Sequence, residues 1–194
     1  MHGHRTVAMY RAIDLSLFAV ILMVFETLLV NAAGVWFPGD VWSVSAVAPV
    51  TAIVMVRWGP WAALHAALGG FVHVLVSRGT GLQFLIYPAG NLLCLAVLPL
   101  VRKWGWERLR QEGLCNACYS ILVLLAMQAG RAGVALLTGT SPALLFGFVA
   151  SDVISYIFTV TIVWISSRLD GMLEDQKHYL ARINEPDGDE GGIR

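Results

Sequence analysis

Six apolar stretches divide the sequence, at about residues 13–37, 41–56, 61–76, 82–101, 115–137 and 142–165. A helix needs about 20 apolar residues to cross the hydrocarbon core of a bilayer, so six crossings would take up on the order of 120 residues. Lipid is then the solvent for most of this 194-residue chain. Composition agrees, with 57% of residues hydrophobic and 13% charged, where soluble globular chains run to about a quarter charged. The expected fold class is an all-α integral membrane protein, six transmembrane helices in a compact bundle. The second and third stretches, bounded by the turn Arg57, Trp58, Gly59 and Pro60, are near the lower length limit. A partial re-entrant pair is the alternative there.

Basic residues predict the orientation, because positive charge is retained on the cytoplasmic side. With the N-terminus inside, Arg5, Arg11, Arg57, Arg102, Lys103, Arg108, Arg110, Arg168, Lys177, Arg182 and Arg194 all fall inside. Arg78 alone falls in an outer loop, and Arg131 lies within the fifth span. Both termini are thus expected in the cytoplasm of a multi-pass plasma-membrane protein. The expected divisions are a cytosolic segment at 1–12, the membrane domain at 13–168, an amphipathic cytosolic helix at 169–183 and a flexible tail at 184–194. The first span is expected to be a retained anchor and not a cleaved signal peptide, being longer than a usual signal core and carrying Glu26. No internal repeat supports an inverted-repeat transporter.

Ionisable groups within the spans cost roughly 2.5–3.5 kcal/mol each on insertion scales and are functional candidates for that reason. Glu26 and Asp152 fall near mid-membrane, and Arg131 roughly 9 Å below the outer end of its span at about 1.5 Å per residue. The three can share one site in the outer half. In the fourth span Gln83, Tyr87, Asn91 and Cys94 follow at intervals that put them on one helix face. The sixth repeats this with Ser151, Asp152, Ser155, Tyr156 and Thr159, and Gln128 stands three residues before Arg131. The bland readings are an Arg131–acid pair holding helices together, which would leave one acid without a partner, and small polar residues as interhelical glue. The functional reading is a small-molecule pocket with a few polar anchors in apolar walls. Trp36, Trp42 and Asp40, between the first two spans, then form its lid, or the tryptophans belong to an interfacial belt.

Other signals are weaker. His65 and His73 lie about 12 Å apart along one helix, too far to ligate one metal together, and each reads as an interhelical hydrogen-bonder. Cys115 and Cys118 have C-x-x-C spacing without a second pair. No metal or other cofactor is expected. Thirteen basic and thirteen acidic residues balance, which removes the positive excess of a nucleic-acid binder. No phosphate loop or nucleophilic triad pattern occurs, so an enzyme is not expected.

Ala8 and Ala12, in an Ala-x-x-x-Ala motif continued by Ser16, and the stretch LDGMLEDQKHYL at 169–180 carry a resemblance. With six spans, the chain resembles the substrate-binding membrane subunit (S component) of an energy-coupling factor transporter. The resemblance covers nearly the whole chain in topology and two short stretches in sequence. It implies capture of a vitamin-like, heterocyclic or zwitterionic nutrient from outside, held by Asn91, Arg131, Asp152 and the lid tryptophans, with Glu26, Tyr87, Gln128 and Tyr156 alongside. It also implies docking through Ala8, Ala12 and Ser16 on a transmembrane coupling subunit driven by two cytosolic ATPases. Small-molecule nutrient, coupling proteins and membrane lipid are the expected partners. On a straight helix Glu26 shares the azimuth of Ala8 and would face the coupling subunit. A rod-shape-determining-like scaffold or a membrane sensor module is the alternative.

Overall fold

The computed structural model describes residues 7–38, 43–141 and 152–184, and all regular structure among them is helical. In chain order the helices are α1 (Val7–Trp36), α2 (Val47–Trp58), α3 (Ala62–Val76), α4 (Gln83–Asn91), α5 (Leu98–Trp104), α6 (Trp106–Gln111), α7 (Gly113–Leu137), α8 (Val153–Arg168) and α9 (Gln176–Asn184). Helical stretches Val7–Trp36, Gln83–Trp104 and Gly113–Leu137 are long and apolar enough to cross a membrane, as is Val47–Val76 by summed length, although it folds back at Gly59; Val153–Arg168 is apolar but shorter.

Helix α1 shows how such a sequence suits a lipid environment. Leu15, Phe18, Leu22, Glu26 and Ala33 are its buried face, recurring at helical intervals. The opposite face exposes Leu17, Val20, Val24, Phe25 and Leu28. An apolar exterior around an ionisable interior inverts the order of a water-soluble bundle.

Helix α2 lies at the centre, and every residue from Val47 to Trp58 is buried. Gly59, at φ 60°, reverses the chain through a 3-10 turn, Gly59–Trp61, into α3. The two helices form a hairpin: a Cβ on Gly69 of α3 would stand 2.7 Å from the methyls of Val47, at the start of α2. Twelve residues of α2 reach only about 18 Å at 1.5 Å each, short of the roughly 30 Å hydrocarbon core. A helix enclosed by protein need not span that thickness itself when its neighbours present the apolar exterior. Tyr119 of α7 anchors it by donating its hydroxyl to the Ala52 carbonyl at 2.7 Å.

The stretch Gln83–Trp104 changes pitch. Between α4 and α5, Leu92–Val97 is 3-10 helix, and the Leu98 N–H closes on Leu95. Pro99 has no N–H with which to bond that carbonyl in the α-helical manner.

At the end of the bundle where the basic residues gather, Arg57 joins three segments. Its Nε and Nη2 donate to Asp14 of α1 at 2.9 and 2.7 Å, and its Nη1 donates to the carbonyls of Gly171 and Met172 at 2.6 and 3.0 Å. The neighbouring Trp58 indole donates to Asp14 as well, at 2.6 Å. The segment after α8 is thereby tied down as turns, so the helix expected over 169–183 is confined to α9. The tail beyond 184, the segment 1–6 and the first part of the sixth span lie outside the described residues.

Candidate functional site

Three glycines set the spacing of the helices that carry the polar side chains. A Cβ on Gly90 of α4 would collide with the backbone of Arg131 in α7, and one on Gly130 would collide with the carbonyl of Gly90. A Cβ on Gly70 of α3 would stand 2.8 Å from both the Asn91 amide and the backbone of Pro88. The backbones of α3, α4 and α7 therefore approach as only small residues permit. Asn91 is held between α3 and α7 as a result. Its Nδ2 donates to the Ala66 carbonyl at 3.0 Å, and its Oδ1 accepts from Arg131 Nε at 2.7 Å.

Arg131 is the hub. Its Nη1 lies 3.1 Å from Asp152 Oδ2, with both side chains almost wholly buried at 5% and 6% exposure. Its guanidinium also lies over the Tyr87 ring, 4.7 Å from the centroid, in a cation–π contact. Asp152 immediately precedes α8, where an aspartate commonly caps the helix through its side chain. Here the carboxylate makes no cap bond. It accepts instead from Arg131, from Gln128 Nε2 at 3.3 Å and from the Ser43 hydroxyl. The Tyr156 hydroxyl donates to Gln128 Oε1 and completes the ring of groups.

Glu26 is fully buried in a second cluster beside the first. Its carboxylate accepts from the Ser45 hydroxyl at 3.0 Å to each oxygen and from the Ala46 N–H at 2.6 Å. His73 Nδ1 lies 2.7 Å from Glu26 Oε1. The His73 ring also stacks on Tyr87, centroids 5.1 Å apart, so Tyr87 links Glu26–His73 to Arg131–Asp152. A cleft of about 360 Å³, lined by Val30, Phe37, Val44 and Arg78 among others, opens onto Ser43 and His73 at the end of the bundle away from Arg57.

Of the residues singled out from sequence, Tyr87, Asn91, Gln128, Arg131, Asp152 and Tyr156 converge, and Glu26 joins them through His73. Glu26 faces into the bundle against His73 and Ser45 and not toward a surface partner, and it is not left without a polar partner when Arg131 takes Asp152. Trp36 does not enter the network: it ends α1 at 64% exposure. Trp42, Asp40 and Ser151 lie outside the described residues. Ala8, Ala12 and Ser16 are exposed on α1. Gln83 turns to the backbone N–H of Thr80 at 2.7 Å, and His65 meets the Leu15 carbonyl at 3.0 Å. Cys94, Cys115 and Cys118 are free thiols, and among the described residues no three His, Cys, Asp or Glu side chains gather as a metal site would require. Sequence reasoning did not find Ser43, Ser45 and the spacing glycines. Their signal, small residues at the foot of one helix or facing another, is common in any membrane chain.

Apolar helices long enough to cross a bilayer, enclosing a ring of ionisable and amide groups, define the class: a helical protein suited to a membrane, with an internal polar site. Comparison with protein-family models, with curated proteins and with solved structures gives no match.

Proposed function

We propose that this chain is the membrane-embedded solute-binding subunit of an energy-coupling factor type importer. It takes a small vitamin-like, heterocyclic or zwitterionic nutrient from outside the plasma membrane and has no catalytic activity of its own. The observation that carries this reading is the convergence of Tyr87, Asn91, Gln128, Arg131, Asp152 and Tyr156 from three helical regions onto one buried spot, next to Ser43 and His73, which line the cleft and touch Asp152 and Tyr87. Buried ion pairs are poor stabilisers compared with well-packed apolar side chains, and intramembrane charge marks substrate pathways. In this reading Arg131 exchanges part of its bond to Asp152 for a ligand carboxylate or carbonyl, Asp152 takes an ammonium or ring N–H, and Tyr87 stacks on a flat ring.

The rest follows the family resemblance: six crossings with α2 and α3 as a short central pair, both termini cytoplasmic, and docking through Ala8, Ala12 and Ser16 on a coupling subunit served by two ATPases. A scaffold reading draws on one specific observation, that Arg131 and Asp152 satisfy each other without a ligand. A thermal-shift screen of the detergent-purified chain against vitamins, vitamin precursors and amino acids separates the two. Ligand at 100 times its Kd raises stability by about 2.7 kcal/mol. A hit lost in both Arg131→Ala and Asp152→Asn supports the importer subunit, and a flat panel on folded protein overturns it in favour of the scaffold.

A further inference from the structure

A second cavity lies at the opposite end of the molecule, independent of the solute site. It has a volume of about 360 Å³ and is formed where the α2–α3 turn, the N-terminal part of α1, the α5–α6 junction and the start of α9 meet. Arg11, Arg102 and Lys177 line it from three separate segments, and tryptophans Trp58, Trp61 and Trp106 form its walls. Among the described residues none of those three cations has an ion-pair partner. Arg11 is instead laid over Trp61, 4.5 Å from the ring centroid. Arg57 is neutralised by Asp14, and Asp175, which accepts from the N–H groups of Lys177 and His178 at 2.9 and 3.3 Å, keeps its negative charge in the lining, so that among the described residues three cations stand against one carboxylate. Positive charge is left in excess.

The cavity is also continuous with the lipid-facing surface. From Trp61, the residues Leu64, Leu68, Phe71 and Leu75 follow at intervals of three and four along α3, which makes one apolar stripe. Trp61, Leu64, Phe71 and Leu75 are exposed on it. A concave basic pocket with tryptophan walls, at the foot of an exposed apolar stripe, matches the two halves of one ligand. We infer that this cavity binds a phosphate-bearing headgroup, with Arg11, Arg102 and Lys177 holding the phosphate oxygens, and that its source is an anionic phospholipid whose acyl chain lies along the α3 stripe. Basic residues near a membrane surface attract anionic lipid by an amount equivalent to about five-fold in affinity each.

The test is native mass spectrometry of the full chain in neutral detergent, titrated with phosphatidylglycerol or phosphatidylcholine. Phosphatidylglycerol is expected to bind at least ten-fold more tightly. Arg11→Gln, Arg102→Gln and Lys177→Gln combined bring the two lipids to parity, and Arg102→Gln alone, the mildest change, weakens phosphatidylglycerol about five-fold. Lys103→Gln, at the same end but outside the cavity, leaves the preference intact. Glycerol 3-phosphate and inorganic phosphate identify the source: displacement of bound phosphatidylglycerol by either assigns the site to free phosphate compounds, and resistance to both assigns it to lipid. Equal binding of the two lipids by the unmodified chain, or a preference that survives the triple substitution, overturns the proposal.

Discussion

Arg131 holds Asn91, Asp152 and Tyr87 together at the centre of the polar network. Replacing it by alanine leaves Asp152 as an uncompensated buried carboxylate and Asn91 Oδ1 without its donor. A loss of about 3–5 kcal/mol in stability is expected, to be read as the shift in the denaturation midpoint of the detergent-solubilised protein. Because Asp152 is the partner, the Arg131→Ala, Asp152→Ala double variant should lose less than the sum of the singles, with a coupling of about 0.5–3 kcal/mol. Additive losses would show that the pair is not a unit. The residues of this network were legible in the sequence because an apolar background makes each polar side chain conspicuous. Spacing then put Tyr87 and Asn91 on one face, and Gln128 and Arg131 on another. What spacing cannot supply is pairing. That Glu26 meets His73, 47 residues away, depends on how α1 and α3 lie against each other, and a straight-helix wheel gave Glu26 the direction of Ala8 without saying which end of that face the bundle would cover.

The elements are held by contacts that a pattern of hydropathy does not encode. Gly90 and Gly130 look like ordinary helix-interior glycines until α4 and α7 are brought together. Gly130→Ala forces the helices apart, at a cost of about 1–3 kcal/mol for overpacking. It should also weaken any ligand that depends on Asn91 and Arg131 being adjacent, whereas Gly133→Ala, where an added Cβ meets nothing within 4 Å, should leave binding unchanged and cost no stability, alanine being the better helix former. Isothermal titration with a ligand from the screen, run beside thermal denaturation, measures the two effects. Arg57 is a second case. Its position in a turn reads as a marker of the cytoplasmic side, yet its side chain fastens α1 and α2 to the 169–175 segment. Arg57→Gln should raise hydrogen exchange through residues 169–184 well before the amides of α7 respond; uniform exchange along the chain would count against a local fastening.

At the scale of the whole molecule, the sequence pattern gives the helical class, the apolar exterior and the hairpin at Gly59. It overstates α2, because an apolar run enclosed by protein has the same composition as one that faces lipid. The number of crossings and their direction are open to a direct measurement in a cysteine-free background with Cys94, Cys115 and Cys118 replaced. Arg78→Cys should react with an impermeant maleimide in intact cells, and Lys103→Cys only after permeabilisation. Labelling of both from the same side would refute the proposed topology. The buried centre also bears on how the protein is made. In the proposed topology a segment of 12 residues is too short to cross the hydrocarbon core on its own, so α2 would enter the bilayer together with α3 and α1. Its packing against α7 and α8 has to wait until those helices have been synthesised. Membrane integration and tertiary folding would then be coupled, with the surroundings of α2 complete only once α7 and α8 are in place.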